Sequence, residues 1–558
     1  MDTQPRPPWL LRPVPERVPL HAALVFALAV LVYLPSIGNE FAYDDVPIVQ
    51  LNERVRQFDV AGLLTSGYWQ DSTSALYRPL ASLSYAADWR LSGGSPGWFH
   101  FTNVMWHGAV SVLLLVLLRA LRGPPAAALA GAVVFAVHPV HVEAVANIVG
   151  RAELMAAAFT LGAALLFARP PETLRRPAPL AVTGVLFALA LLSKEGAVVT
   201  PALLAVTDIG LGRLRPGAVT AWLRDRMPVL AVLVAVLLLY LIVRTAVLGA
   251  ITPTDLDPSL ELLRSPLHRF LTALQAWPQY ARLLFFPRVL LADYGPRILM
   301  PATAASTQVL AGAGLLVACI ATASAAWLTG RPRAAAALLW FPVAIVAVSN
   351  LFVPIGVLVA ERTLYLPSAA LSIGVVAAAT ALTGERRTWR ARAALAGAVG
   401  LVLGLLAVRT VIRIPDWRTT NTIFFALTTD RPDAFRGRWH LARLAASRGE
   451  PESAMRLHAE AIELWPYRPR LLREAVIYAA QNGRPDWSKQ VAGFALQQFP
   501  RDLVIRRVYA ALLLDQADTV AARIQIREGL LWHPQDSLLL KMQDAATPVT
   551  PSHGLADS

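Results

Sequence analysis

The stretch Val18–Asp45, VPLHAALVFALAVLVYLPSIGNEFAYDD, strings together about 20 largely apolar residues and then stops on two adjacent carboxylates. A helix of that length crosses the hydrocarbon of a bilayer, and the acidic pair sits just beyond its far end. Arg6, Arg12 and Arg17 precede the run as they would in a signal peptide. Its exit, Tyr33 to Glu40, has no small-x-small cleavage pattern, so it reads as a retained anchor.

Working outward, the same kind of run recurs. Apolar segments near 20–38, 101–118, 126–138, 152–168, 178–193, 196–210, 228–247, 306–328, 334–349, 365–383 and 393–412 predict about eleven helical spans. The composition agrees: 56% of the 558 residues are hydrophobic and only 16% charged, a balance that makes lipid the main solvent. The net charge of +14 could suggest a nucleic-acid partner. Its arginines are instead scattered in small groups between apolar runs, which is a topology signal, and nucleic acid is excluded. The one cysteine, Cys319, lies within an apolar run, so no internal disulfide can form.

Arginine-rich loops (Arg119/Arg122, Arg169/Arg175/Arg176, Arg213/Arg215/Arg224/Arg226, Arg331/Arg333, Arg386/Arg387/Arg390/Arg392) alternate with loops of the other side, the short ones of which carry few positive charges: Arg151, Lys194 and Arg362. The basic set is predicted cytoplasmic together with the N-terminus. Eleven crossings would put the C-terminal part outside the cytosol. On that outer side lie two long loops, 39–100 and 248–305, whose segments Tyr77 to Leu91 and Pro266 to Phe286 carry the three- and four-residue apolar spacing of interfacial helices.

Beyond residue 413 the hydropathy falls and a repeat begins. Pro466, Pro500 and Pro534 are 34 residues apart, as are Gly449 and Gly483. A helical pair of that period closed by a proline is the tetratricopeptide signature. The predicted organisation is all-α: a cytoplasmic segment 1–18, a transmembrane domain 19–412, a linker 413–432, a tetratricopeptide α-solenoid 433–543 and a disordered tail 544–558.

Candidate chemistry gathers on the outer face. Asp44 and Asp45 follow the first span, and adjacent carboxylates there raise each other's proton affinity unless a cation or substrate intervenes; a hydrated turn is the plain alternative. His138, His141 and Glu143, continuing to Arg151, fall between two apolar runs. A third strong ligand is missing, so phosphate or sugar hydroxyls suit this group better than a metal. The pairs Lys194-Glu195 and Glu361-Arg362 also interrupt apolar sequence, either as snorkelling helix ends or as cavity groups. Cations that grip phosphate beside carboxylates that accept protons fit an anionic, lipid-linked substrate. A cofactor is not specified by any of this, and a divalent cation finds no clear ligand set.

Several motifs in fixed order then resemble the transmembrane-and-tetratricopeptide (TMTC) protein O-mannosyltransferases: Tyr43-Asp44-Asp45, Val137 to Val145 with Gly150-Arg151-Ala152-Glu153-Leu154, Ser193-Lys194-Glu195-Gly196, and Asn350 to Pro354 leading through Glu361-Arg362-Thr363-Leu364-Tyr365-Leu366-Pro367-Ser368. Leu284 to Pro287, Asp293-Tyr294 and Asp416-Trp417-Arg418 also match, so the resemblance covers almost the whole chain. Two departures are visible: no Gln follows Lys194-Glu195, and the repeat array is short. The resemblance implies a GT-C-type fold of about eleven spans and transfer of a mannose-like sugar from a polyprenyl-phosphate donor to a hydroxyl, usually of a protein Ser or Thr. It implies Asp44 as base with Asp45 beside it, and His138, His141, Glu143, Arg151, Lys194, Glu195, Glu361 and Arg362 around the donor phosphate or sugar. Its partners would be that donor, a protein or glycan acceptor, the bilayer and a protein held by the repeats. The Ala- and Arg-rich composition looks bacterial, which would place the protein in an inner (plasma) membrane with a periplasmic or extracellular active site. A non-catalytic membrane scaffold or a lipid-linked sugar transporter is the competing class.

Overall fold

The computed structural model describes residues 17–69, 76–249, 257–382 and 388–546. Most of the predicted segment 1–18, most of the tail 544–558 and the loop arginines 386 and 387 lie outside the described residues. Those described are helical with no strand, as the apolar periodicity and the 34-residue repeat require.

Among the described residues, seven helices are long and apolar enough to cross a membrane: Val18–Gly38, Pro96–Ala120, Ile148–Phe167, Val219–Leu248, Thr307–Leu328, Glu361–Ala381 and Ala393–Trp417. The pair Pro125–Val137 and Pro139–Val145, bent by 45°, makes up to eight. The count of about eleven drew also on Pro177–Ser193, Pro332–Val348 and Thr200–Gly210, which are helices but shorter ones. A helix of 17 residues is only about 25 Å long and one of 11 about 16 Å, short of the ~30 Å hydrocarbon, whereas the sequence pattern registers apolarity alone.

Proline sets many of the starts. Pro79, Pro96, Pro125, Pro177, Pro266 and Pro332 each open a helix, where a missing N–H is no loss and φ is already helical. Small residues then let helices approach. At Gly312 an added Cβ would lie 1.8 Å from the Leu274 carbonyl, so the helices Thr307–Leu328 and Pro266–Phe285 meet backbone to backbone there. Buried Asp208 accepts from Arg226 at 2.8 and 3.1 Å, Trp222 Nε1 at 2.8 Å and Arg213 at 3.3 Å, tying the helix Thr200–Gly210 to Val219–Leu248 and to the loop between them. Two arginines read as topology markers are therefore ion-paired as well.

The chain divides into two compact units. One holds Met1–Leu256, Leu260–Tyr294 and Pro301–Ile423; the other holds Asp257–Ser259, Gly295–Met300 and Phe424–Ser558. The second contains three helical pairs, Phe435–Ser447 with Pro451–Leu464, Pro469–Gln481 with Pro485–Gln498, and Leu503–Asp515 with Thr519–Trp532, then a final helix Ser537–Ala546. Each pair turns through a left-handed residue, Gly449 (φ 73°), Gly483 (φ 70°) and, at the same interval, Ala517 (φ 60°). An ion pair repeats with the same period: Arg473 to Asp502 at 2.7 Å, and Arg507 to Asp536.

Candidate active site

The loop that follows the first span turns sharply at Tyr43, whose φ of 52° is left-handed for a non-glycine residue. The two aspartates that follow this turn diverge. Asp44, half-buried, lines a cavity together with Arg78, Glu153, Lys194, Glu195 and Arg362, and Tyr68, Trp69, Val348 and Val357 supply its apolar walls. Asp45 points the other way. It is fully buried, and its carboxylate accepts from the backbone N–H of Val149 (2.8 Å), Ile148 (3.3 Å) and Ala42 (3.3 Å), pinning the loop to the start of the helix Ile148–Phe167. Burial raises its pKa to about 7 even though the three amides act to lower it; the charge of Asp44 adds to the rise.

The cations of the cavity are each held by an acid. Arg78 grips Glu195 with two hydrogen bonds of 2.8 and 2.5 Å and lies 5.0 Å over the Tyr68 ring. Burial works to raise the Glu195 carboxyl, but the Arg78 guanidinium overrides it and holds the group at about 2. Lys194 pairs with Glu153, and burial, helped by the charge of Arg78, pulls the Lys194 ammonium well below the ordinary lysine range. Arg362 pairs with Glu143, whose second oxygen accepts the Arg362 backbone N–H at 2.8 Å. A narrower apolar cleft lined by Ala156, Ala157, Thr160, Ala344 and Leu366 shares Glu153, Lys194, Val348 and Thr363 with the main cavity.

Of the ten residues singled out from sequence, Asp44, Lys194, Glu195 and Arg362 meet at this cavity; the other six do not line it. Glu143 sits behind Arg362 as its anchor. Arg151 is fully buried elsewhere, bonded to Asp88 (2.6 Å), Asn103 (2.7 Å) and the Phe99 carbonyl (3.0 Å), so its donors are spent inside the fold. His138 holds the Leu284 carbonyl through Nε2 (3.0 Å) and accepts from Val140 N through Nδ1 (3.2 Å). His141 Nε2 contacts Ser368 Oγ at 2.8 Å within an aromatic cluster of Phe135, His107 and Tyr365. Glu361 accepts from the Leu291 backbone and from Tyr294 Oη at 2.8 Å, fixing the 286–294 loop. Sequence reasoning missed Arg78 and passed over Glu153 and Tyr68. Arg78 stands directly before the helix-opening Pro79, one of four arginines on the loop 39–100 with Arg54, Arg56 and Arg90, and nothing in the sequence set it apart from them.

One chain thus joins a helical membrane unit, whose cavity is lined by three acids and three bases, to tetratricopeptide repeats, which defines a class of repeat-bearing membrane proteins. Within it this chain is TMTC-like. It is 28% identical over 505 residues to Protein O-mannosyl-transferase TMTC4 of Homo sapiens, covering 79% of this chain and 66% of that one. It is 27% identical over 440 residues to TMTC3 of Mus musculus (73% and 47% covered) and 25% identical over 476 residues to Protein O-mannosyl-transferase F38B6.6 of Caenorhabditis elegans (79% and 62% covered). The chain thus spans about half to two-thirds of the length of these curated relatives. No protein-family model matches it. Among solved structures the tetratricopeptide domain of P58(IPK) aligns with a TM-score of 0.22 at 15% identity, over 67% of this chain and 95% of that one.

Proposed function

We propose that this chain is a GT-C-type glycosyltransferase that moves a mannose-like sugar from a polyprenyl phosphate to a protein Ser or Thr hydroxyl on the extracytoplasmic face. The observation that carries the reading is Asp44 on the rim of a cavity that also presents Arg78, Lys194 and Arg362. Asp44 takes the proton of the acceptor hydroxyl as its oxygen attacks the anomeric carbon, and the bond to phosphate breaks with inversion. A phosphate leaves as a stable anion, so no strong general acid is needed. Arg362, Lys194 and Arg78 receive the phosphate by exchanging their carboxylate partners for it, and the adjoining apolar cleft suits the first isoprene units. Glu143 keeps Arg362 aimed; Arg151, His138, His141 and Glu361 support the fold around the cavity.

The test is transfer by the purified chain from a polyprenyl-phosphate mannose to a Ser/Thr peptide, read by mass spectrometry. Asp44→Asn keeps shape without the base and is expected to lose about 10²–10⁴-fold in rate. Undiminished transfer by that variant sinks the role of Asp44, and absence of any glycosylated product from the parent chain sinks the enzyme. Arg362→Lys retains charge but not the fork of donors, so donor KM is expected to rise.

A further inference from the structure

The segment through which the chain leaves the membrane unit is hydrogen-bonded, residue for residue, to the loop that carries Asp44. Asn39 Nδ2 donates to the Trp417 carbonyl at 3.3 Å, the Glu40 N–H donates to the Arg418 carbonyl at 2.9 Å, and the Tyr43 N–H donates to Thr420 Oγ1 at 2.9 Å. The three contacts advance together along both stretches, so 39–43 and 417–420 run side by side. The exit segment is firm in its own right. Arg413 pairs with Asp416 at 2.9 Å, Trp417 is 1% exposed, and Thr422 Oγ1 bonds the Asp416 carbonyl at 3.1 Å.

We infer that Thr420 is a positioning residue for Asp44. Tyr43 occupies a left-handed conformation that is strained for a non-glycine residue, and such a conformation persists only where its surroundings over-determine it. Thr420 supplies that hold from one side by accepting the Tyr43 N–H; Asp45, locked to the amides of Ile148 and Val149, supplies it from the other. Asp44 lies between the two anchors, and the direction in which its carboxylate enters the cavity is set by both. Thr420 is also the first residue of the helix Thr420–Asp430, which precedes the repeat helix Phe435–Ser447, so the aim of the base depends on a side chain belonging to the link toward the repeats.

The inference rests on the reading of Asp44 as base, and its test separates the two. Steady-state transfer from polyprenyl-phosphate mannose to peptide is measured with the full chain as parent, Asp44→Asn, Thr420→Val, Thr420→Ser and the double variant Asp44→Asn/Thr420→Val. Val keeps the β-branched shape and removes only the acceptor oxygen, and a thermal melt of each variant reports folding. Misplacing a reacting group by about 1 Å costs about 10²-fold, so Thr420→Val is expected to lower kcat by about 10–10²-fold with donor KM within about twofold. Thr420→Ser is expected to recover most of the loss, and the double variant to be no slower than Asp44→Asn. Parent-like kcat in Thr420→Val beside a crippled Asp44→Asn overturns the inference and leaves the base standing. A parallel fall in melting temperature and donor affinity, unrescued by Ser, overturns it as well. An undiminished Asp44→Asn overturns both.

Discussion

Asp44 and Asp45 share a peptide bond and almost nothing else. Beyond the left-handed turn at Tyr43, one faces a cavity and the other is bonded to three backbone amides. Because burial raises the Asp45 pKa from 3.8 to about 7, the folded protein binds a proton there that the unfolded chain has already released over that interval. Stability contributed by protonated Asp45 is therefore present at low pH and lost as pH climbs toward and through 7. Thermal melts between pH 5 and 8 are expected to show a falling melting temperature for the parent and a flatter profile for Asp45→Asn; an unchanged slope in the variant removes Asp45 as the source. The pair also shows where sequence reading stops. Residue type and a place between apolar runs were legible for Asp44, Lys194, Glu195 and Arg362, but Arg151, His138, His141 and Glu361 are ionisable residues in like places along the sequence. Which of them faces a cavity and which spends its hydrogen bonds inside the core depends on short 3₁₀ turns at 139–141, 148–150 and 361–364, and their phase leaves no periodic trace.

Among the helices, legibility followed length and repetition. The 34-residue spacing of proline and glycine located the solenoid because every pair must repeat one turn, and the long apolar runs located the membrane helices. The shorter helices Pro177–Ser193 and Thr200–Gly210 were legible as apolar but not as to whether they cross. The third inter-helix turn escaped notice because it lacks the expected glycine. Ala517 stands there at φ 60°, where Gly449 and Gly483 take the same conformation without a Cβ. Ala517→Gly should relieve the strain, about 1–2 kcal/mol, partly offset by the greater freedom of glycine in the unfolded chain. A net gain of about 1 kcal/mol in denaturant unfolding of the full chain is expected, read by a probe in the last pair such as Trp532. Loss of stability would mean that the Ala517 methyl is making contacts worth more than the strain.

For the molecule as a whole, the alternation of arginine-rich and arginine-poor loops leads us to expect the repeats on the membrane side that holds Asp44. Cys319 is the single cysteine, so Cys319→Ala supplies a blank background. Glu53→Cys in the Asp44-bearing loop and Asp486→Cys in the repeats, both exposed positions, should then react equally with a membrane-impermeant maleimide on intact cells or oriented vesicles. Opposite labelling would separate acceptor capture from the proposed base and end the idea that the repeats deliver polypeptide to it. The cavity itself carries one more consequence. Asp44 and the three carboxylates that grip its cations, Glu143, Glu153 and Glu195, against Arg78, Lys194 and Arg362 give 3 − 4 = −1 formal charge at the cavity. Interlocked pairs with no positive excess project no attractive field beyond a Debye length of about 8 Å, so the cavity cannot steer an anion from bulk solution. A lipid-borne phosphate would have to arrive by diffusion in the plane of the bilayer and then trade places with carboxylates at contact distance. Donor capture should accordingly be almost indifferent to ionic strength.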